Sequence, residues 1–536
     1  MNSMTLRFIL ILILIGIIII VQPQLIATHA ESYNVEFYAF YIGGLHPDMW
    51  PTGLVVGSDS YMVLAVANWE GFNNYTNHIF KFLWNGSLIW ERRIINLTSN
   101  GFIANDFKRI GDTYIVVGGT QHNDHLVIIA LDNDGNILWS KQTDSILTSS
   151  MTWARILPIS NNEFWITEFN ENVSHCTILN MYTNGTIKWL KAYYSSSYDI
   201  VPISMDYDEI NDIVYIASWA NNYPSPYIVT ALNASNGDII WNKGLSTGLG
   251  QLYFSGISVT SDHNIVLGGR MDFQDPNNPH VYIAKSTIAS LTPDGQVRWA
   301  FLLNSTRYNF PTDIASVNTD VVISGSTSIG NTSYSKGFLM RLDENGNIEW
   351  FKMVRSQCCV PISMDNFCSY LWHVFANESV ILSTGMISEN LTYLNWTFTI
   401  RDPLIISTTP MAEMTGKCNM TSNTTTMIDN IFTSINTSSL NYTIINIHSL
   451  DLPLTYSQLP INLQNYPVES RPGNLVINYF CDPRPGNQTG SSLVGGILVG
   501  YHDDHDLFSI IGFSFTVFLV SIEIANKSKR RITSNR

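Results

Sequence analysis

The chain has 536 residues, of which 45% are hydrophobic and 12% aromatic, enough to fill a large core and to exclude wholesale disorder. Only 13% are charged, and 28 Lys and Arg against 43 Asp and Glu leave a formal balance of -15, so there is no basic footprint for a nucleic-acid partner. A chain so poor in ionic groups needs other groups to keep its surface hydrated.

Phe8 to Val21 is an unbroken apolar run, preceded by Arg7 and followed by Pro23 and Thr28-His29-Ala30. It is short for a bilayer span, and the small residues at Thr28 and Ala30 suit a signal peptidase. Residues 1–30 are therefore expected to be a cleaved secretory signal, the other reading being an uncleaved N-terminal anchor. Both readings put the bulk of the chain outside the cytoplasm, as an extracellular or cell-surface protein.

From there a repeat runs through the sequence. Six segments share the form Gly-x-apolar-x-Trp, with tryptophans at Trp90, Trp139, Trp189, Trp241, Trp299 and Trp350, spaced 49, 50, 52, 58 and 51 residues apart. Before each glycine lies a polar turn, such as Asp132-Asn133-Asp134-Gly135, and before the turn an apolar run, such as Leu126 to Leu131. Asn-Gly and Asp-Gly between such runs mark hairpins, because the turn requires positive φ. A second β-rich run ending in glycine lies further upstream (Tyr114 to Gly119, Ile265 to Gly269, Val321 to Gly325), with a shorter apolar stretch ahead of it. Each unit reads as four antiparallel strands, and the units end near residues 95, 145, 195, 247, 304 and 355. Tandem four-stranded units of this length predict an all-β fold, a β-propeller of about seven blades, with eight as the alternative. The six tryptophans are assigned a structural part, filling the wedge between blades.

A ring of sheets has to close. Asn34-Val35-Glu36-Phe37-Tyr38 resembles Asn347-Ile348-Glu349-Trp350-Phe351, so residues 33–42 read as an orphan fourth strand that closes the last blade. Its partners are expected from residues 486–526, so that the last blade combines C-terminal strands with the N-terminal one. Ser379 to Ile387 and Asn395 to Arg401 look like strands two and three of a seventh unit. Phe518 to Glu523, within residues 486–526, also resembles a third strand. The competing reading of residues 507–525 is a transmembrane anchor with the basic tail 527–536 as its flank. Between them, residues 402–485 are Asn-, Thr-, Ser- and Pro-rich and read as an insertion or accessory domain.

Asn-x-Ser/Thr sequons number 17, about twice what chance pairing would supply. Asn74, Asn85, Asn184, Asn390, Asn419, Asn423, Asn436 and Asn441 are candidate glycosylation sites, and their glycans would supply the missing hydration. The six cysteines favour disulfides over metal ligation in an oxidising compartment. Cys418 with Cys481 would close the 402–485 segment, and Cys368 could pair with Cys358 or Cys359. The densest set of metal-capable side chains is His502-Asp503-Asp504-His505-Asp506, which could hold calcium or a transition metal but matches no established ligand loop.

The stretch Ala231 to Lys243, Ala-Leu-Asn-Ala-Ser-Asn-Gly-Asp-Ile-Ile-Trp-Asn-Lys, resembles the repeat of the pyrroloquinoline-quinone-type propellers. The Asp-x-x-Gly-Asn-Ile-x-Trp units at Asp132 and Asp343 resemble tandem repeats of archaeal and bacterial secreted proteins, including outer-membrane assembly scaffolds. The resemblance covers roughly residues 50 to 355 and implies the fold more than an activity. Quinone dehydrogenases of this type carry calcium, a catalytic Asp and often a vicinal disulfide. Cys358-Cys359 is such a pair, without an accompanying quinone-site pattern. The favoured expectation is a non-catalytic binding or scaffold module for an extracellular protein or glycan, possible membrane attachment included. The alternative is a secreted quinone- or metal-dependent enzyme with its site over the propeller axis.

Overall fold

The computed structural model describes residues 38–43, 48–68, 75–96, 102–120, 125–143, 154–170, 175–194, 199–221, 227–247, 250–275, 278–303, 310–327, 336–354, 369–393, 396–408, 410 and a series of strands between 432 and 481. It is a seven-bladed β-propeller. The short strand β1 (Tyr38–Gly43) precedes the first blade. That blade is β2 (Asp48–Val56), β3 (Ser60–Asn68), β4 (Tyr75–Leu83) and β5 (Leu88–Asn96). The second is β6 (Phe102–Ile110), β7 (Thr113–Thr120), β8 (Leu126–Leu131) and β9 (Ile137–Thr143). The third is β10 (Arg155–Pro158), β11 (Glu163–Asn170), β12 (His175–Tyr182) and β13 (Ile187–Tyr194). The fourth is β14 (Asp199–Asp208), β15 (Ile213–Asn221), β16 (Tyr227–Asn233) and β17 (Ile239–Ser246). The fifth is β18 (Gln251–Val259), β19 (Ile265–Asp275), β20 (Asn278–Leu291) and β21 (Val297–Leu303). The sixth is β22 (Phe310–Val317), β23 (Asp320–Thr327), β24 (Lys336–Leu342) and β25 (Ile348–Val354). The seventh takes β26 (Ser369–Ala376), β27 (Ile381–Tyr393) and β28 (Trp396–Thr408) from late in the chain and β1 from its beginning.

Because successive strands alternate in direction, the turns between first and second and between third and fourth strands share one end of the ring, here called the turn face. The second-to-third and blade-to-blade connections share the other, the loop face. Middle strands are largely apolar, since both of their faces meet a neighbouring sheet. In β8, Val127, Ile129 and Leu131 pack toward blade one, while Leu126, Ile128 and Ala130 pack toward blade three.

The six Gly-x-apolar-x-Trp units begin the fourth strands. Their glycines (Gly86, Gly135, Gly185, Gly237, Gly295 and Gly346) have φ of 75–82°, and each turn is followed by a register shift as the fourth strand begins. Each of the first five tryptophans lies over the glycine of the next blade. A Cβ on Gly135 would stand 3.0 Å from Trp90, and one on Gly185 3.2 Å from Trp139. Gly237, Gly295 and Gly346 meet Trp189, Trp241 and Trp299 in the same way. The tryptophan and the glycine are therefore two halves of one joint between blades. Trp350 is buried, and blade seven has no such turn because its fourth strand is β1.

The ring closes as the N-terminal strand predicted, with β1 pairing antiparallel to β28 (Phe40 opposite Ile405). The seam to blade one is an apolar cluster of Met49, Tyr61, Val63, Phe80 and Phe82 with Val380, Leu382 and Ile405. Of the strands predicted over Ser379–Ile387 and Asn395–Arg401, residues 381–387 lie in β27 and 396–401 in β28, the second and third strands of this blade.

The 402–485 segment differs from expectation. Residues 402–408 complete β28, and the described strands beyond form no sheet of their own. They add one outer strand to every blade: β29 (Phe432–Ile435) to β25, β30 (Tyr442–Ile444) to β21, β31 (His448–Asp451) to β17, β32 (Thr455–Gln458) to β13, β33 (Leu463–Asn465) to β9, β34 (Val468–Pro472) to β5 and β35 (Val476–Cys481) to β1. This belt visits blades six to one in reverse and ends on blade seven. The physical reason is the open outer edge of each fourth strand, whose unpaired amides and carbonyls the belt satisfies. Residues 486–526 lie outside the described residues, as do 1–37 and the basic tail. Among the described residues no helix is long and apolar enough to cross a membrane.

Candidate functional site

The innermost strands wall the central channel. Six of the seven carry a register shift at a similar level, leaving an extra residue: Thr52, Asn105, Ile203, Ser255, Thr312 and Trp372. Such bulges bend the strand and free backbone groups from the ladder. The exception is the four-residue β10. There Arg155 spans the gap, donating from Nε to the carbonyl of Ile203 (3.1 Å) and from a terminal nitrogen to that of Asn105 (3.5 Å).

Three aspartates stitch alternate blades. Asp106 accepts the N–H of Phe107 (2.8 Å) on its own strand and that of Ile156 (2.8 Å) on blade three. Asp206 does the same with Tyr207 (2.9 Å) and Val259 (2.6 Å), and Asp313 with Ile314 (3.0 Å) and Val374 (3.0 Å). Burial pushes the Asp206 carboxyl up to about 6, against its hydrogen bonds from Val259, Tyr207 and Ser258 and the charge of Lys108. Lys108 stands on β6 and Asp206 on β14, so their charges act past blade three. Lys108 is also 4.0 Å from Asp106, and His373 is 3.8 Å from Asp313. The inner ring is thus polar, but its carboxylates are engaged by backbone amides.

At the loop-face mouth of the channel, blades four and five bring together a different set, and blade seven carries a second aromatic pair on the same face. Trp219 on β15 meets Tyr253 on β18 edge-on, with ring centroids 5.6 Å apart. The guanidinium of Arg270 on β19 lies 5.1 Å from the Tyr253 ring and 3.2 Å from Asp272. On blade seven, Tyr370 and the bulged Trp372 pack edge-on at 5.6 Å. Burial pushes the Tyr370 phenol well up, partly countered by Ser326, Trp372 and the charge of Arg270. Burial also raises the Asp272 carboxyl, and Arg270 opposes that shift. Trp219, Tyr253, Arg270, Asp272 and Trp372 are all partly exposed. The two longest hairpins of the ring, β19 with β20 and β27 with β28, rise on this face from blades five and seven.

None of these mouth residues was singled out from sequence. Trp219 and Trp372 carry the available signal, since both are tryptophans outside the Gly-x-apolar-x-Trp register. Of the residues that were singled out, the six blade tryptophans form the joints described above. Asn85 and Asn184 sit in third-to-fourth-strand turns, and Asn390 lies in β27 opposite Thr399. Cys481 ends β35 opposite Ala39. Cys358, Cys359, Cys368, Cys418, Asn74, Asn419, Asn423, Asn436, Asn441 and the set His502, Asp503, Asp504, His505 and Asp506 lie outside the described residues. Cys176 is a free, buried thiol. Among the described residues no three His, Cys, Asp or Glu side chains stand together as metal ligands would.

No protein-family description matches the chain, and no curated protein matches it. Solved structures do. The polysaccharide lyase Uly1 is 9% identical, with a TM-score of 0.41 over 70% of this chain and 92% of that one. The quinohemoprotein alcohol dehydrogenase ADHIIG from Pseudomonas putida HK5 is 9% identical, with a TM-score of 0.37 over 74% of this chain and 79% of that one. An uncharacterised protein from Listeria monocytogenes EGD-e is 11% identical, with a TM-score of 0.32 over 66% of this chain and 93% of that one. At such identities these are likenesses of sheet architecture and say nothing about chemistry.

Proposed function

We propose that this chain is an exported, cell-surface or secreted propeller that binds an extracellular partner at its loop-face mouth, and that the partner is a glycan. The observation that supports this is the contact set of Trp219, Tyr253, Arg270 and Asp272 on blades four and five, with the Tyr370–Trp372 pair of blade seven on the same face. Flat aromatic faces beside a charged donor and acceptor pair suit a sugar ring, which offers apolar C–H faces and a rim of hydroxyls. The ring supplies rigidity, so the cluster is held in place before a ligand arrives. The apolar N-terminal run and the excess of sequons support export.

The test is a glycan-array screen of the secreted protein, followed by calorimetry on any hit. Trp372→Ala and Arg270→Ala are each expected to weaken binding at least tenfold while leaving the circular dichroism spectrum unchanged. A wild-type protein that ignores all glycans but captures an extracellular protein through the same residues would move the site to a protein partner. Bound quinone or metal near one per chain would support an enzyme instead.

A further inference from the structure

Five of the six third-to-fourth-strand turns share one frame, the blade-four turn being one residue longer, and the six are capped in different ways. In blade two Asp132 caps the turn, accepting the N–H groups of Asp134 (2.9 Å) and Asn136 (2.8 Å), and Asp343 does the same in blade six with Asn345 (2.9 Å) and Asn347 (2.8 Å). Thr292 accepts from Gln296 (3.0 Å) in blade five, and Asn233 from Ser235 (3.1 Å) in blade four. In blades one and three the first turn residue is Leu83 or Tyr182, neither of which places a side-chain acceptor there. The residue before the glycine takes over: Asn85 Oδ1 accepts the N–H of Ser87 (3.0 Å), and Asn184 Oδ1 that of Thr186 (2.9 Å).

These are also the two turns in which Asn-Gly is followed by a hydroxyl residue. Capping uses Oδ1 and leaves Nδ2, the atom that N-glycosylation modifies, outside the cap. Asn184 is exposed whereas Asn85 is half-buried, and among the described residues no hydrogen bond engages Asn184 Nδ2. The turn beneath it is held from behind by blade two: the indole of Trp139 donates to the carbonyl of Thr183 (2.8 Å) and Lys141 Nζ to that of Gly185 (2.7 Å). Asn184 is thus displayed on a fixed turn at the turn face, away from the loop-face mouth.

We infer that Asn184 is an N-glycosylation site. Its Nδ2 attacks the anomeric carbon of a lipid-linked diphospho-oligosaccharide supplied by a membrane oligosaccharyl transferase. A C–N bond forms, the sugar C–O bond to the diphosphate breaks, the electron pair leaves with the lipid diphosphate, and Nδ2 gives one proton to the transferase. The modification keeps Oδ1 as the acceptor for Thr186, so the glycan and the cap coexist. The inference rests on export of the chain but not on what the mouth binds.

The full chain is expressed in an N-glycosylating host, and only protein recovered from the medium or the outer surface is scored, so a failure of export is read separately from a failure of modification. Mass spectrometry of the peptide carrying residue 184 is expected to show an oligosaccharide mass that peptide-N-glycosidase removes, leaving Asp. Asn184→Asp keeps the Oδ1 cap and Thr186→Ala keeps the Asn, yet each is expected to abolish the added mass, with thermal melting of the deglycosylated proteins within about a degree of wild type. An unmodified Asn184 in exported wild-type protein, or a mass that persists in Thr186→Ala, would overturn the inference.

Discussion

The indole of Trp139, on the outer strand of blade two, donates to the carbonyl of Thr183 in the turn of blade three at 2.8 Å. Trp241 and Trp299 repeat the contact with Pro293 (3.0 Å) and Glu344 (3.1 Å) of the following blades. The glycine beneath each ring is required twice over, by its positive φ and by the space the indole occupies.

From this joint, Trp139→Phe keeps most of the ring and removes the donor, and is expected to cost about 1 kcal/mol in denaturant unfolding. Gly185→Ala forces a side chain into a left-handed conformation and against Trp139 and Lys141, and should cost more, about 1–3 kcal/mol. A Gly185→Ala protein as stable as wild type would show that the joint is slack.

The aspartate stitches make a different forecast. In Asp106→Asn one carboxylate oxygen becomes an NH2 facing the N–H of Phe107 or Ile156, so a buried donor loses its acceptor and about 1–3 kcal/mol of stability goes with it. The exposed Asp134→Asn is the control, with a change within about 0.5 kcal/mol. Chemical denaturation of both variants, followed by tryptophan fluorescence, makes the comparison.

A carboxyl group without a stitch behaves in the opposite sense. Glu168, on β11 opposite Thr177, is 2% exposed, and neither carboxyl oxygen has a hydrogen-bond partner among the described residues. Burial raises its pKa well above the usual carboxylate range. Folding therefore favours the protonated form. The resulting stability is fully present below the unfolded value of about 4.3 and is lost as pH rises from there through the folded value. Glu168→Gln should then stabilise the protein at pH 7 by at least about 1 kcal/mol and have little effect near pH 3. Melting curves at the two pH values decide it, and equal effects at both would contradict the assignment.

How far these features can be read in advance follows from what determines them. The Gly-to-Trp spacing is legible because a tight turn demands glycine locally and the wedge between blades demands a large flat ring, so the signature recurs in six of the seven blades. The closing strand is legible for the same reason, because Asn34 to Tyr38 resembles a fourth strand, and β1 takes that place. The belt has no such signature. Its strands are three to six residues long and are placed by the backbone edges of β5, β9 and their equivalents rather than by a side-chain pattern. The mouth is assembled from Trp219, Tyr253, Arg270 and Trp372, which are distant in the chain, so no window of sequence contains it.

Ending the chain after residue 431 tests the belt directly. The truncated protein should retain the blade core but expose the outer edges of seven fourth strands, and such edges pair readily with other chains. Size-exclusion chromatography is expected to show self-association that the full chain lacks, with faster amide exchange in residues 92–96, 141–143 and 243–246. A monomeric truncated protein with unchanged exchange there would remove the belt from any part in sealing the ring.

The belt also sets a timetable. The sheets are laid down from blade one onward, yet the strand that covers β1 on its outer side does not exist until residues 476–481 have been made. A chain delivered through an export channel from its N-terminal end would hold its seam unsealed through most of its passage. Completion is thereby registered at a single place, where the first and last described strands lie side by side. A product cut short anywhere ahead of residue 476 would carry that missing edge as a mark of its incompleteness, visible to any protease that patrols for loose strands.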